Sequence, residues 1–304
     1  MQVPAQVEYE KAATVAQALS LLARYAPGAR ILAGGHSLIP MMKLRLAQPE
    51  VLIDINGIAG LRYIKRTGHE LRIGALARHA DLLSSELAGE HFAVLHDAER
   101  VIADPIVRQW GTIGGSLCQA DPSEDLSAAF AALRGSVIVH GPEGSREVPA
   151  RAFHTGPYET VVGPAEMLTE IRLPVRPRAG SAYLKVCRRA GDWPIGAAAA
   201  AIWLDGGRIA DVGIGLTAVG APHFVAAEAE EFLRGRTGSD AELTRAGEIA
   251  AAHCNPASDQ RGPAEYKRHL AGELTVRALR LALRRARGPA AVPGSVPGSG
   301  KAAS

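Results

Sequence analysis

Two glycine-centred stretches hold the residues best suited to chemistry. The longer is Trp-Gly-Thr-Ile-Gly-Gly-Ser-Leu-Cys-Gln-Ala-Asp-Pro-Ser-Glu-Asp-Leu, from Trp110 to Leu126. Gly114 and Gly115 carry no Cβ, so their peptide N–H groups can come close to a bulky anion. Thr112 and Ser116 flank them with hydroxyls, as a phosphate-cradling loop requires. Asp121-Pro122-Ser123-Glu124 reads as a helix start, with aspartate as N-cap and proline at the first helical position. Asp125 then falls in the first turn, either accepting hydrogen bonds from sugar hydroxyls or complementing the helix dipole. The shorter stretch is Ala33-Gly34-Gly35-His36-Ser37. His36 is there either as a ligand contact or as an ordinary loop histidine. One Gly-Gly pair by itself marks a turn. Two of them, each beside hydroxyl residues, suggest a single diphosphate held from two sides.

A third stretch runs Lys185-Val186-Cys187-Arg188-Arg189-Ala190-Gly191-Asp192-Trp193-Pro194. Lys185 sits among apolar residues of an expected strand, so its ammonium must reach the surface or find a partner. Trp193 could stack on a ring system or close an interface between domains. Other chemistries find no support. His96, His154, His253 and His269 are dispersed, without metal-ligand spacing. Cys118, Cys187 and Cys254 show no C-x-x-C pattern, which argues against an iron–sulfur or zinc site built from these thiols and for a reducing cytoplasm. No serine or cysteine occupies a nucleophile elbow, and neither glycine stretch has the G-x-G-x-x-G of a Rossmann fold. Redox chemistry here would need an organic cofactor.

At 304 residues the chain is long enough for two or three domains. A net charge of +3 with no Lys/Arg run gives no footprint for nucleic acid. No apolar stretch reaches membrane-spanning length, and Met1-Gln2-Val3-Pro4-Ala5 does not read as a secretory signal.

The elements that must position these residues can be read in order. Thr14–Tyr25 has a threonine cap and helical spacing before a Pro27-Gly28 stop. Arg30–Ala33 is a short strand entering the first glycine loop. Pro40–Leu46 reads as a helix and Val51–Ile55 as a buried strand, giving a small parallel sheet. Leu61–Arg66 and Glu70–Leu76 form a hairpin. Helices follow at His79–Leu87 and Glu90–Ile102, then an irregular stretch at Ala103–Ile113. Past the second glycine loop come a helix, Leu126–Leu133, a hairpin over Ser136–Pro149 and a strand at Met167–Leu173. Pro174–Pro177 is the expected boundary. Beyond it, three strands (Ala182–Arg188, Gly196–Leu204, Arg208–Val219) and three helices (Phe224–Leu233, Ala241–Ala252, Ala264–Arg287) suggest a separate α+β domain. Residues 288–304 are expected to be disordered.

Ala33-Gly34-Gly35-His36-Ser37, Thr112-Ile113-Gly114-Gly115-Ser116, Ala120-Asp121-Pro122 with Asp125, and Lys185 with Gly191-Asp192-Trp193 together resemble the FAD-binding medium subunit of molybdenum hydroxylases. That family includes xanthine dehydrogenase and aerobic carbon monoxide dehydrogenase, the latter being the nearer likeness. The resemblance covers about residues 1–287. It implies an α+β chain: a two-lobed FAD-binding domain of the vanillyl-alcohol-oxidase (PCMH) type over 1–177, with lobes at about 1–57 and 58–177. A smaller α+β domain with a three-stranded antiparallel sheet would follow over 178–287. It further implies that Leu32, Ala33, Gly34, Gly35, His36, Ser37 and Leu38, with Gly111, Thr112, Ile113, Gly114, Gly115 and Ser116, hold the FAD pyrophosphate. Ser123 and Asp125 would bind sugar or ribityl hydroxyls, while Ile102 and Leu168 line the site. Lys185, Asp192 and Trp193 would lie near the flavin ring. A reduced isoalloxazine carries negative charge near N1 and the C2 carbonyl, where a lysine would serve. The implied partners are a large molybdopterin subunit and a small [2Fe-2S] subunit, in a cytoplasmic heterotrimer or its dimer. No catalytic or metal-binding residue is expected in this chain. The alternatives are the FAD subunit of a related xanthine, aldehyde or aromatic hydroxylase, and a stand-alone flavoprotein oxidase. Two departures stand out: Ser116 replaces the asparagine of many relatives, and His223 follows Pro222 where an arginine is frequent.

Overall fold

The structure, a computed structural model, describes residues 3–288. The expected disordered tail lies, but for Gly288, outside the described residues.

The first lobe follows from two short apolar segments and a charged edge strand. β1 (Glu8–Lys11), α1 (Val15–Tyr25), β2 (Ala29–Leu32), α2 (Leu38–Lys43) and β3 (Val51–Asp54) build a parallel sheet in the order β1-β3-β2. Thr14 Oγ1 accepts from Gln17 N at 3.1 Å and starts α1, whose Ala18 and Leu22 pack onto the sheet. β3 is central, and Val51, Leu52 and Ile53 are buried, as a parallel strand covered on both faces requires.

The second lobe has β4 (Ile64–Thr67), β5 (Glu70–Gly74), α3 (His79–Ser84), α4 (Glu86–His91), α5 (Ala93–Glu99), α6 (Pro105–Trp110), α7 (Ile113–Gln119) and α8 (Asp125–Ala132). It continues with β6 (Ser136–Gly141), β7 (Gly144–Pro149), α9 (Ala150–Phe153), β8 (His154–Gly156), β9 (Glu159–Thr160) and β10 (Met167–Pro174). Its antiparallel sheet runs β4-β5-β10-β6-β7. Three expectations fail here. The two helices read over His79–Leu87 and Glu90–Ile102 are three, α3 to α5, broken at Ser85, which caps α4, and at Phe92. The stretch read as irregular contains α6, started by Asp104 accepting from Val107 N with Pro105 at its first position. The second glycine stretch is not a loop but the first turn of α7.

The third unit comprises β11 (Ala179–Cys187), β12 (Pro194–Asp205), β13 (Arg208–Thr217), α10 (Ala227–Leu233), α11 (Asp240–His253) and α12 (Ala264–Arg287). Its sheet, β11-β12-β13, is antiparallel. The alanine run of β12 explains how the units join. Ala197, Ala199 and Ala201 belong to the core of the second lobe, while Ala198, Ala200 and Ile202 belong to the core under α12. Period-two alternation thus serves two cores from one strand. Alanines and glycines let helix backbones come close on either face: a Cβ on Gly213 would run into the Ala132 carbonyl oxygen of α8, and one on Gly180 into Ala282 of α12. The seam also carries a buried ion cluster. Glu230 of α10 takes Arg134 at 3.1 Å and Arg151 at 2.6 Å.

Because α8 rests on β13 with no room for a side chain, Gly213→Val should cost about 3 kcal/mol through overpacking. Gly60→Ala, whose Cβ would meet nothing within 4 Å, should stay within about 0.5 kcal/mol. Thermal and urea denaturation of the two variants checks this; equal stability would contradict the shared-core packing.

Candidate functional site

β2 ends at Leu32, and the chain turns through Ala33-Gly34-Gly35-His36-Ser37 into α2. Gly35 has φ +77°, a conformation that an L side chain would strain. The backbone N–H groups of Gly34, Gly35, His36, Ser37 and Leu38 find no acceptor among the described residues. Five successive free donors at the C-terminal edge of a parallel strand have the arrangement from which backbone anion sites are built. His36 and Ser37 are exposed at its rim, and Leu32 and Leu38 are half-buried beneath it.

The second glycine stretch meets the first directly. A Cβ on Gly34 would sit 2.5 Å from the Trp110 carbonyl oxygen and 2.9 Å from Gly111 Cα. The two segments therefore do lie side by side, but they contribute differently. Thr112 is the N-cap of α7 and its Oγ1 takes the Gly115 N–H at 3.1 Å. Ile113 N donates to Ala77 O and Gly114 N to Ala75 O, each at 2.9 Å. A Cβ on Gly114 would lie 2.7 Å from Ala75 Cβ, and one on Gly115 2.6 Å from Thr112 Oγ1. These glycines thus fit helix against strand and cap against helix. Their bareness does not by itself open space for an anion, which corrects the reason first given for them.

The helix start after them is also shifted. Asp121 accepts from Ser123 N at 2.8 Å in a local turn, while Glu124, not Asp121, caps α8 through Leu126 N and Ser127 N. Ser116 donates to Glu124 Oε1 at 3.0 Å. Asp125 is turned inward. It is buried, with Tyr183 O–H donating to Oδ1 and Lys185 Nζ to Oδ2 at 2.9 Å. Burial pushes its carboxyl up to about 6 against the pull of Lys185. Lys185, its side chain 1% exposed, also donates to Val101 O at 3.1 Å. It is neither a surface lysine nor a free ammonium, and its partner is the aspartate singled out for another task. Leu168 is likewise inside the core, on β10 opposite Val139.

Ile102 is half-buried beside the turn that follows β11. There Gly191, φ +76°, packs on Ala103: a Cβ would lie 2.7 Å from its carbonyl oxygen. A cleft of about 510 Å³ runs between Ala103, Asp104 and Val107 on one wall and Arg188, Gly191 and Asp192 on the other. That volume is in the range of ligand pockets. Trp193, 42% exposed, opens β12 next to it, with Asp192 Oδ1 accepting from its N–H.

Sequence reading missed His79 and Arg78, at the start of α3. His79 Nδ1 lies 3.0 Å from Glu99 Oε1, both residues buried, and its ring edge fills the space that a Gly111 side chain would need. Burial pulls the imidazole pKa down, but the Glu99 carboxylate outweighs it and leaves the net value raised. Arg78 links the two glycine segments, as described below. The signal was an Arg-His pair just after a strand end, which composition alone does not distinguish from surface charge.

Comparison with known proteins fits this geometry. The family described as "FAD binding domain in molybdopterin dehydrogenase" matches residues 5–176, and "CO dehydrogenase flavoprotein C-terminal domain" matches 181–282. The chain belongs to this family of FAD-binding subunits. It is 40% identical to the carbon monoxide dehydrogenase medium chain of Afipia carboxidovorans, covering 94% of this chain and 99% of that one. It is 36% identical to the glyceraldehyde dehydrogenase medium chain of Sulfolobus acidocaldarius, over 91% of this chain and 98% of that one. A crystal structure of Cu,Mo-CO dehydrogenase contains a chain that superposes with a TM-score of 0.89 at 40% identity, covering 92% of this chain and 99% of that one. The α+β fold and the FAD-binding assignment thus hold. No helix among the described residues is long and apolar enough to cross a membrane.

Removing one member of a buried ion pair leaves the other uncompensated. Lys185→Met should destabilise the protein by about 3–5 kcal/mol, and adding Asp125→Asn should recover most of that loss. A double-mutant cycle by urea denaturation measures it; additive losses would show that the pair is not coupled.

Proposed function

We propose that this chain is the FAD-carrying electron-transfer subunit of a molybdopterin/[2Fe-2S]/FAD hydroxylase, of the carbon monoxide dehydrogenase type. The observation that carries the reading is the run of five free N–H groups from Gly34 to Leu38, pressed against Trp110–Gly111. A dinucleotide diphosphate supplies the acceptors that those donors lack. Around it, Ser123 offers a hydroxyl, Thr112 and Ser116 shape the second segment through Gly115 N–H and Glu124, and the flavin ring is assigned to the cleft lined by Asp192, with Ile102 and Trp193 next in sequence to its walls. Asp125, Lys185 and Leu168 support this site from behind: the lysine ties the Val101–Ile102 backbone to β11, so Ile102 is held in place. When bound, FAD supplies the carrier that takes electrons from partner clusters and hands them to an external acceptor.

The same reading assigns the chain to a cytoplasmic heterotrimer, or its dimer, with a large molybdopterin subunit and a small [2Fe-2S] subunit. Three cysteines without a disulfide agree with a reducing compartment. The FAD domain would cover 1–177 in two lobes and the smaller domain 178–287. Similarity to medium chains named for carbon monoxide and for glyceraldehyde leaves the oxidised substrate to the large subunit.

The purified chain should carry one non-covalent FAD, released into solution by acid precipitation. Gly34→Val should abolish it, because a side chain there must part the two segments. The isolated flavin-loaded subunit should stay oxidised with carbon monoxide, purines or aldehydes under anaerobic conditions, and bleach once both partners are added. Rapid bleaching by one of these compounds without partners would favour a stand-alone oxidase.

A further inference from the structure

Arg78 is 7% exposed and is the residue from which both glycine segments are held. Its own N–H donates to Asp81 Oδ2 at 2.9 Å, which fixes the backbone at the start of α3. Its guanidinium Nη1 donates to the Trp110 carbonyl, in the second segment. Its Nη2 donates to Asn56 Oδ1 at 2.8 Å, and Asn56 Nδ2 in turn donates to the Ala33 carbonyl at 2.7 Å, in the first segment. One side chain therefore reaches both segments, directly on one side and through one amide on the other.

Both acceptors are neutral. No carboxylate lies within ion-pairing distance of this guanidinium among the described residues. The nearest acidic groups are engaged elsewhere: Asp81 is held by Arg62 at 2.8 Å, and Asp54 accepts from Tyr9 and Asn56. Buried cations are ordinarily paired, and Lys185 and Lys267 follow that rule here. Arg78 departs from it at the seam where five unused N–H groups also collect. An arginine stays charged even when buried, so the excess positive charge is permanent. Two independent features, unused donors and a buried cation that Asp81, Asp54 and the Trp110 ring steady only from beyond ion-pairing distance, ask for the same thing: an anion.

Resting on the FAD reading, we propose that Arg78 is the charge partner of the cofactor's diphosphate and, with Asn56, the strut that sets the spacing of the two glycine segments around it. The charge attracts the dianion, and the fork of hydrogen bonds keeps the donors of Gly34–Leu38 in register with the second segment. Losing the charge should weaken ligands with a diphosphate and spare ligands without one. Losing the strut alone should weaken the dinucleotide that spans both segments.

The test uses the full-length chain freed of flavin, with FAD followed by quenching of its fluorescence and ADP and adenosine by calorimetry. Arg78→Gln should weaken FAD and ADP at least tenfold, about 1.4 kcal/mol, and leave adenosine within twofold. Arg78→Lys, which keeps the charge and loses the fork, should retain most of the ADP affinity. Asn56→Ala should weaken FAD more than ADP. Thermal denaturation reports whether each variant is folded; should Arg78→Gln fail to fold, loss of ADP affinity in Arg78→Lys equal to its loss of FAD would overturn the proposal. Equal losses of ADP and adenosine in Arg78→Gln would also overturn it, since a purely structural role predicts that. FAD binding unchanged in Arg78→Gln would sink this inference alone. A wild-type chain without affinity for FAD would sink the flavin reading and this inference with it.

Discussion

The contact between Gly34 and the Trp110–Gly111 backbone is the constraint on which the site depends. It joins a loop from a parallel sheet to a turn from an antiparallel lobe, with no side chain between them. A methyl group at Gly34 would stand 2.5 Å from a carbonyl oxygen, well inside van der Waals contact. Everything that fixes the two lobes, including Asn56 on Ala33 and Arg78 on Trp110, works to hold that backbone-to-backbone approach. His79 contributes from below, because its ring occupies the space beside Gly111 and Glu99 keeps the ring from turning. A cleft made this way owes its shape to main chain, which varies less in position than long polar side chains do.

The second constraint is the alanine- and glycine-rich sheet. Small residues on both faces allow α8 and α12 to press on it, so the third unit completes the core of the second lobe instead of standing apart. The consequence reaches the site. Asp125 on α8 and Tyr183 and Lys185 on β11 meet across that seam, and their hydrogen bonds are possible only because the helix lies so close. A buried ion pair is weak evidence for stability in itself. Its value here is directional, since Lys185 also grips Val101 and so sets the wall of the neighbouring cleft.

Much of this was legible in the sequence. Periodicity gave α1, α11, α12 and the long strands, and the two glycine pairs announced that two segments would meet. What failed has a common cause. Asp121-Pro122-Ser123 looks like a helix start because caps are local, yet Glu124 wins the role by also accepting from Ser116. Gly114-Gly115 looks like a loop because glycine disfavours helix, yet Thr112 caps them into one and Ala75 leaves no space for anything larger. Asp125 and Lys185 were each noticed for a ligand, but they are far apart in sequence and only the sheet packing brings them together. Arg78 and His79 left only an Arg-His pair that reads as surface charge: their significance lies in which carbonyl and which carboxylate the fold sets beside them.

The site combines unused backbone donors with a buried cation that has no directly bonded carboxylate, and that combination has a thermodynamic meaning. A buried cation without a directly bonded carboxylate opposes folding, while the unused backbone donors lie at an exposed rim and are left to water. The fold tolerates them because ordered structure on every side fixes them: β2 and β3 below, α3 and α7 beside. An anion that binds only this arrangement pairs the cation, replaces water on the donors and needs little reorganisation of the protein. Ligand present at a hundred times its Kd would add about 2.7 kcal/mol to folding stability. Cofactor loading and structural stability are therefore coupled through the same few atoms. The electrostatic cost of Arg78 in the free chain is the counterpart of the affinity that it gives the bound diphosphate.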